Sequence, residues 1–320
     1  MARKTAKQRK KEKKIALVLV AVLALAALTA AMLASPAFAQ WLFRVTGIVQ
    51  SDGPPAAAKQ AAVSVHVIDV GQGDAVLLCA DGEYALIDAG PPEAAGVLVS
   101  YLRQAGATHL RYLFMTHPHN DHYGGMEEVL QAVEVEQLVI SDMSLAPLPT
   151  AITFESLLAA ALEKGVHTTQ TKQGDVHPLG SGSITVVHGG LATTDNYNLL
   201  SLGLLFDAGG LRLLNTGDGE KENENAMQES GLDIAADIFV AGHHGSNTSN
   251  GEEFIGAVAP QIVAISCAAG NSYGHPHRSA LAAYEAAGAR VLRTDKDGTI
   301  VVWLAEDGSL QHAVAKNRNT

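Results

Sequence analysis

Three histidines and one aspartate lie within six residues of the sequence, in a pattern that could bind metal ions. His117, His119, Asp121 and His122 follow an apolar run and belong to the segment Thr-His-Pro-His-Asn-Asp-His-Tyr-Gly-Gly, which begins at Thr116. Imidazole and carboxylate groups are ligands suited to Zn²⁺ or Mn²⁺. From an extended segment the first two histidines can point the same way, and the last two residues can turn toward a second ion. The spacing therefore predicts two divalent metal ions, Zn or Mn.

This segment resembles the metal-binding motif of the metallo-β-lactamase superfamily. The resemblance implies an α/β (α+β) fold in which two mixed sheets pack together between layers of helices. It also implies that Asp218, in Asn-Thr-Gly-Asp at 215–218, bridges both ions. Of the two histidines in Gly-His-His-Gly-Ser at 242–246, we expect His243 to be the ligand and His244 to lie behind it.

Asp88 occurs in Leu-Ile-Asp-Ala-Gly at 86–90, which resembles the first motif of the superfamily. That resemblance implies a residue that orients the metal-binding loop. The role is physically reasonable, because a metal-bound histidine needs a partner on its other ring nitrogen. An aspartate that caps a turn is the alternative.

Further motifs resemble the hydrolase domain of the ComEC family of competence proteins. They are Val-Ile-Asp-Val-Gly-Gln-Gly-Asp-Ala at 67–75, His-His-Gly-Ser at 243–246, Tyr-Gly-His-Pro-His at 273–277 and the Arg-Thr-Asp and Gly-Thr-Ile segments within 293–300. The resemblance covers about residues 63–304 and implies a nucleic acid substrate. We expect Asp121 and His275 to be catalytic. Residues expected to contact the substrate or to support the ligands are Asp74, Asp88, Asn198, Ser201, His244, Ser246 and Tyr273.

The chain departs from the superfamily at the third motif, since no Gly-His-Thr segment is present. The matching region is Asp-Asn-Tyr-Asn-Leu-Leu-Ser-Leu at 195–202, so one nitrogen ligand is missing and the occupancy of the second metal site is open. His188 could supply the nitrogen, but we favour an exposed loop histidine. His275 could contact a phosphate or protonate a leaving group, or serve only its loop, and a structural role is favoured for His277.

Short apolar runs bounded by Gly, Asp, Asn or Pro predict strands, and helical patterns lie between some of them. The predicted strands are 63–70, 75–78, 84–87, 110–115, 184–187, 201–206, 211–214, 238–241, 262–266 and 300–304. The predicted helices are 94–104, 125–132, 154–164, 222–228, 252–258 and 279–287. Cys79 and Cys267 fall in or beside predicted buried strands, and we expect two separate thiols.

The N-terminus predicts a membrane anchor. Residues 1–14 are basic, and residues 15–39 form an apolar segment long enough to cross a bilayer as one helix. The positive-inside rule places the rest of the chain outside the membrane. The segment is a signal-anchor, or a signal peptide that would leave a secreted protein if cleaved. A linker (40–62), a hydrolase domain (63–306) and a C-terminal tail (307–320) complete the predicted organisation.

The charge of the chain limits its substrates. The first 14 residues hold eight of the 22 basic and one of the 33 acidic residues, so the remainder has a formal charge of −18. An acidic surface disfavours tight duplex binding, which leaves a small or single-stranded substrate. We expect a phosphodiesterase or nuclease that acts on DNA outside the membrane through a metal-bridged hydroxide. Alternatives are hydrolysis of an envelope phosphodiester, another ester or a β-lactam, and a non-catalytic binding module. No protein partner can be inferred from the sequence.

Overall fold

Two mixed β-sheets packed face to face form the folded part of the chain. The computed structural model describes residues 53–144, 146, 149–191 and 195–315. The first sheet has the strand order β15-β14-β1-β2-β3-β4-β5-β6. Its strands are β1 (Val63–Val67), β2 (Val76–Ala80), β3 (Glu83–Ile87), β4 (His109–Met115), β5 (Glu134–Ile140), β6 (His167–Gln170), β14 (Ile300–Leu304) and β15 (Leu310–Val314).

The second sheet has the order β13-β12-β11-β10-β9-β8-β7. Its strands are β7 (Val176–Leu179), β8 (Gly182–His188), β9 (Gly203–Ala208), β10 (Leu211–Asn215), β11 (Ile238–Val240), β12 (Ile262–Ile265) and β13 (Arg290–Arg293). In each sheet a parallel half adjoins an antiparallel half: β3 to β6 run parallel in the first sheet, and β10 to β13 run parallel in the second.

Helices connect the strands and cover the sheets. They are α1 (Ala56–Gln60), α2 (Ala95–Ala105), α3 (Asn120–Tyr123), α4 (Met126–Ala132), α5 (Ile152–Lys164), α6 (Lys221–Glu229), α7 (Glu252–Val258), α8 (Arg278–Ala286) and α9 (Thr294–Asp297). Short 3₁₀ turns occur at Pro92–Ala94, Tyr197–Leu200 and Gly242–Gly245. Helix α2 buries Leu98, Val99 and Leu102 on one side and ends at Gly106, whose φ of 84° suits a glycine C-cap.

The main core lies between the two sheets. The inner faces contribute Val65, Leu78 and Phe114 from the first sheet and Phe206 and Leu213 from the second, all buried. A second apolar cluster covers the other face of the second sheet, where helices α6, α7 and α8 pack. Strand β2 (Val-Leu-Leu-Cys-Ala) is buried at every position, as expected for a strand that is covered on both faces.

The sandwich of two mixed sheets with covering helices confirms the predicted fold. Each predicted strand and helix overlaps an observed one, and Cys79 and Cys267 are separate buried thiols as expected. Strands β5, β6, β7, β13 and β15 were not predicted. Two boundaries differ from the prediction. Helix α1 lies within the predicted linker. Residues 310–314, predicted as part of a tail, form strand β15 of the first sheet because they pair with β14.

The predicted membrane helix at 15–39 lies outside the described residues. Within the part of the chain that the structure describes, no helix has both the length and the apolar character needed to cross a bilayer.

Candidate metal centre

The candidate site lies where the carboxyl ends of four strands meet. Asp88 follows β3 directly and His117 follows β4 after one residue, and these two strands run parallel in the first sheet. Asp218 and His243 follow β10 and β11, which run parallel in the second sheet. The loops at the carboxyl ends of parallel strands are the usual location of binding sites in open α/β sheets.

Asp218 is the centre of the cluster. Its Oδ1 lies 3.2 Å from Nε2 of His122 and 3.6 Å from Nε2 of His244. Its Oδ2 lies 3.8 Å from Nε2 of His117 and 3.6 Å from Nε2 of His243. The side chain is almost fully buried, so one carboxylate faces four imidazoles away from solvent.

Three groups of side chains could each hold a metal ion. Asp74, Asp88 and His122 form one of them, and the other two share Asp218. Of these two, the first is formed by His117, His119 and Asp218, and the second by Asp121, His122, Asp218 and His244, with the ligand atoms of each group within 4.8 Å of one another. Asp218 belongs to both groups, which fits the bridging role that the sequence resemblance implies. The second group contains His244 rather than His243, although the sequence favoured His243.

The buried atoms of the second group fit a cation. Nε2 of His122, Nε2 of His244 and Oδ1 of Asp218 are buried without a hydrogen-bond partner. Buried polar atoms are normally paired, so three unpaired atoms that face one another indicate a missing partner. Two nitrogens and a carboxylate oxygen form a donor set that suits Zn²⁺ or Mn²⁺.

Asp88 positions the loop that carries three of these histidines. Its Oδ1 accepts the backbone N–H of Thr116 at 2.9 Å, and its Oδ2 accepts the Thr116 hydroxyl at 2.7 Å. Oδ2 also lies 2.8 Å from Nδ1 of His122, which directs the other ring nitrogen of that histidine toward Asp218. Gly124 allows close packing behind the loop, because a Cβ there would lie 2.3 Å from Cδ of Pro92.

The loop that carries His243 and His244 has an unusual backbone. Both residues have positive φ angles, 49° and 55°, which side chains other than glycine rarely adopt. Asn250 holds this conformation, since its side-chain amide donates to the carbonyls of Gly242 at 2.8 Å and Ser246 at 2.9 Å. The two histidines consequently diverge: Nδ1 of His243 lies 3.0 Å from Oγ1 of Thr248, whereas the ring of His244 turns inward.

His244 lies deep in the site. Its Nδ1 is 3.0 Å from the carbonyl oxygen of Ser266 and 3.6 Å from Oδ1 of Asp74, and its Nε2 is 3.4 Å from Oδ2 of Asp121. Its side chain is 2% exposed, against 21% for His243. This difference in burial and partners is why the geometry favours His244 as the ligand.

Charges within the cluster shift its pKa values strongly. Burial alone would lower the pKa of His244, but Asp218, Asp121 and Asp74 outweigh it and raise the pKa to about 9. The pKa of His122 is raised well above its ordinary value, because Asp218 and Asp88 outweigh burial. Burial would raise the pKa of Asp218, but His122 and His244 hold it well below its ordinary value.

The pKa values of the remaining site histidines are lowered. Burial lowers the pKa of His117 well below its ordinary value, with a further contribution from His122. Burial likewise lowers the pKa of His119 and of His243. The centre therefore contains imidazoles that are neutral at pH 7 beside imidazoles that hold a proton until a cation replaces it.

A cavity of about 250 Å³ opens onto the cluster. Its lining residues are Gln72, His119, Asn120, Asp121, Asn198, Asp218, His243, His244, Tyr273 and His275. Gln72 and Asn120 lie within quoted motifs, but nothing in their residue type marked them as cavity residues. Burial, followed by His244 and His243, lowers the pKa of His275 to about 4, so its ring is neutral at pH 7 and better suited to contact a phosphate than to protonate a leaving group.

The other predicted support residues take different places. The Ser201 hydroxyl accepts the backbone N–H of Asp218 at 3.1 Å, and the Asn198 amide donates to Oε1 of Glu220 at 3.0 Å. Oδ1 of Asn198 is buried without a partner at the cavity wall.

Asp74 is buried behind His244, and burial raises its pKa to about 6. Ser246 lies in the histidine loop, where its hydroxyl contacts Oγ1 of Thr248 at 3.1 Å.

His188 and His277, which the sequence singled out, lie outside the metal groups. His188 is not an exposed loop residue, as the sequence suggested, but the buried last residue of β8, because the strand continues to pair opposite Gly203. Nδ1 of His277 accepts the backbone N–H of Asn247 at 3.0 Å, in agreement with the structural role favoured from the sequence. Two residues that hold the histidine loop were missed: Asn250, and Glu224, whose carboxylate accepts the backbone N–H groups of Asn250 and Gly251. Single polar residues far from the motifs carry no signal in the sequence.

The chain belongs to the metallo-β-lactamase superfamily. The model of that family matches residues 68–268. Members of the superfamily are generally hydrolases that bind divalent metals, usually zinc, and the clusters around Asp218 fit such a site. The solved metallo-β-lactamase fold protein YhfI from Bacillus subtilis has the same fold, with a TM-score of 0.50 at 10% identity, over 78% of this chain and all of that one.

Within the superfamily, the chain is similar to competence proteins of the ComEC type. It is 35% identical over 254 residues to ComE operon protein 3 of Bacillus subtilis, which covers 74% of this chain and 32% of that protein. It is 29% identical over 261 residues to competence protein ComA of Neisseria gonorrhoeae, covering 79% of this chain and 34% of the relative. Recombination protein 2 of Haemophilus influenzae is 30% identical over 223 residues, covering 68% and 26%. The chain thus spans about a third of the length of these relatives.

Proposed function

We propose that this chain is a metal-dependent phosphodiesterase that cleaves DNA outside the membrane, to which its N-terminal segment anchors it. The observation that carries the proposal is Asp218, a buried carboxylate shared by two metal-binding groups at the base of a polar cavity. The names of two relatives, which refer to competence and recombination, support DNA as the substrate.

The chain offers two adjoining sets of ligands. His117 and His119 with Asp218 would hold one ion, and Asp121, His122 and His244 with Asp218 would hold the second. Two divalent ions, when bound, lower the pKa of a water molecule and neutralise charge on phosphate oxygens.

The other side chains of the site orient groups and contact the substrate. Asp88 fixes the ring of His122, and Asp74 lies against His244. Asp121 and His275 line the cavity beside these ligands. At pH 7 the neutral ring of His275 can form a hydrogen bond with a phosphate oxygen and leaves the protonation of the departing group to another donor.

A panel of substrates tests the proposal. The full chain, purified with its metals in a non-ionic detergent, is incubated with single-stranded DNA, duplex DNA and nitrocefin, beside a His117→Ala/Asp218→Ala double variant. We expect cleavage of single-stranded DNA, little or no nitrocefin hydrolysis and an inactive double variant. Nitrocefin hydrolysis with intact DNA would contradict the proposal and identify an amide or ester substrate. Equal DNA cleavage by both proteins would indicate a contaminating nuclease.

A further inference from the structure

An exposed tyrosine ring stands at the mouth of the cavity. Tyr273 is 64% exposed and lines the cavity together with Asp218 and His243. Within the described residues it is the one aromatic among the large apolar side chains that are exposed. Exposed apolar rings are costly to hydrate, so an aromatic ring that stays exposed beside a site suggests that a ligand covers it.

The loop that carries this ring is held in place on both sides. The Asn271 side-chain amide donates to the carbonyls of Ala268 at 3.0 Å and His275 at 2.7 Å, and its Oδ1 accepts the backbone N–H of His275 at 3.0 Å. The backbone N–H of His277 donates to the carbonyl of Gly245 at 2.9 Å, which ties the loop to the histidine loop. Tyr273 is therefore exposed on a loop that hydrogen bonds hold in place.

One face of the Tyr273 ring packs against the ring of His275. The rings of Tyr273 and His275 are stacked, with centroids 5.5 Å apart and planes 24° from parallel. The centroid of His275 in turn lies 5.5 Å from that of His243 and 6.2 Å from that of His244. A flat group that covered the outer face of Tyr273 would extend this row of rings away from the metal ligands.

The charges of the residues that line the cavity favour a ligand that binds through a flat ring rather than through ion pairs with its phosphates. None of the described residues that line it is Lys or Arg, and the whole chain has a formal charge of −11. Proteins that bind single strands combine a basic groove with aromatic side chains on which bases stack. Because the cavity lacks the basic groove, the metal ions and ring stacking must supply the affinity for a nucleic acid strand.

We infer that Tyr273 is a platform on which one unpaired base stacks beside the phosphodiester that is cleaved. The inference rests on the proposed function and narrows its substrate class to single-stranded nucleic acid and unpaired ends. Within a duplex both faces of each internal base are covered by its neighbours, so a base that lies flat on the ring must be unpaired or at the end of a strand.

Binding tests the platform without cleavage. The full chain with its metals in a non-ionic detergent is titrated into a fluorescent phosphorothioate oligonucleotide of twelve thymidines and into an abasic strand of the same backbone. We expect the thymidine strand to bind about tenfold more tightly, as one stacked base would provide. Tyr273→Ala should remove this preference, and Tyr273→Phe should keep it because the ring remains. Leu158→Ala is the control for an exposed apolar residue on helix α5.

Cleavage of ordinary thymidine and abasic strands separates the platform from a role in positioning His275. A platform predicts that Tyr273→Ala raises KM for the thymidine strand about tenfold and leaves the abasic strand unchanged. An equal fall in kcat on both strands would overturn the inference and leave a positioning role. Equal affinity of the unaltered protein for both strands would also overturn it.

The two proposals fail in different ways. Base-dependent binding without any cleavage would support the platform and contradict the phosphodiesterase. Cleavage that is indifferent to the base would do the opposite, and the absence of both binding and cleavage would overturn both.

Discussion

The two loops that supply the histidines of the site differ in what fixes their conformation. The loop after β4 places His117, His119, Asp121 and His122 by close local spacing, and Asp88, which directly follows the neighbouring strand β3, braces it. The loop after β11 places His243 and His244 next to each other in the left-handed region. Its conformation depends on Asn250, which in turn is held by remote residues.

This second brace extends into the helices around the second sheet. The Tyr284 hydroxyl on α8 donates to Oδ1 of Asn250 at 2.6 Å, and the Glu224 carboxylate on α6 accepts the backbone N–H groups of Asn250 and Gly251. In the first loop, then, the ligand set follows from the local sequence. In the second loop, the choice between two adjacent histidines is made by tertiary contacts.

The largest expected effect falls on Asp218, which follows β10 and faces histidines of both loops. Asp218→Ala removes the carboxylate common to both metal groups, so we expect phosphodiester hydrolysis to fall at least about a thousandfold. Asp207→Ala, an exposed carboxylate on β9, is the control and should retain activity. The readout is the initial rate of DNA cleavage at saturating metal. An active Asp218→Ala variant would show that the two loops do not form one centre.

Replacing the two adjacent histidines one at a time tests which of them binds metal. We expect His244→Ala to weaken metal binding roughly a hundredfold and to remove about one ion, because its ring faces Asp121 and Asp218. His243→Ala should weaken binding by about tenfold or less, since its ring also contacts Thr248 and is partly exposed. Metal content after dialysis measures both. The reverse order would restore the assignment of His243 made from the sequence.

The brace of the second loop should contribute measurable stability. Asn250→Ala leaves two buried carbonyls without a donor and places alanine at a φ of 64°, so we expect a loss of about 2–3 kcal/mol in the free energy of unfolding. Chemical denaturation of the metal-free protein measures it. Asn247→Ala, exposed on the same loop, serves as the control. Similar losses in both variants would mean that Asn250 does not specifically hold the histidines.

The smallest effect is the pH dependence of the second group. His244 belongs to this group, and its pKa is raised to about 9. Its ring is therefore protonated in the metal-free protein at pH 7. That charge stabilises the metal-free fold fully below a pH of about 6.5, and the stabilisation is lost as pH rises through 9. Because a metal ion must displace a proton from His244 and another from His122, whose pKa is also raised, affinity should rise by more than about tenfold per pH unit between pH 7 and 8. Calorimetry in two buffers measures the released protons, and metal uptake without proton release would contradict the charge state described.

The sequence predicted the parts of the molecule in which local spacing determines the structure. Strands such as β4 and β10, and the carboxyl-end positions of Asp88, His117 and Asp218, follow from apolar runs that end in polar motifs. Edge strands such as β7 and β15 were missed because they contain exposed and polar residues without a clear alternation. The inward turn of His244 was missed because it depends on Asn250 and Asp74, which no spacing relates to it.

Stepwise addition of metal to the metal-free full chain, with bound ions and cleavage of single-stranded DNA measured at each step, tests whether the cluster around Asp218 is a two-metal centre that cleaves DNA. We expect that about two ions bind, that cleavage appears as the sites fill, and that the His117→Ala/Asp218→Ala variant gains neither. Cleavage of DNA by the metal-free protein, or two bound ions with every DNA strand left intact, would contradict that expectation.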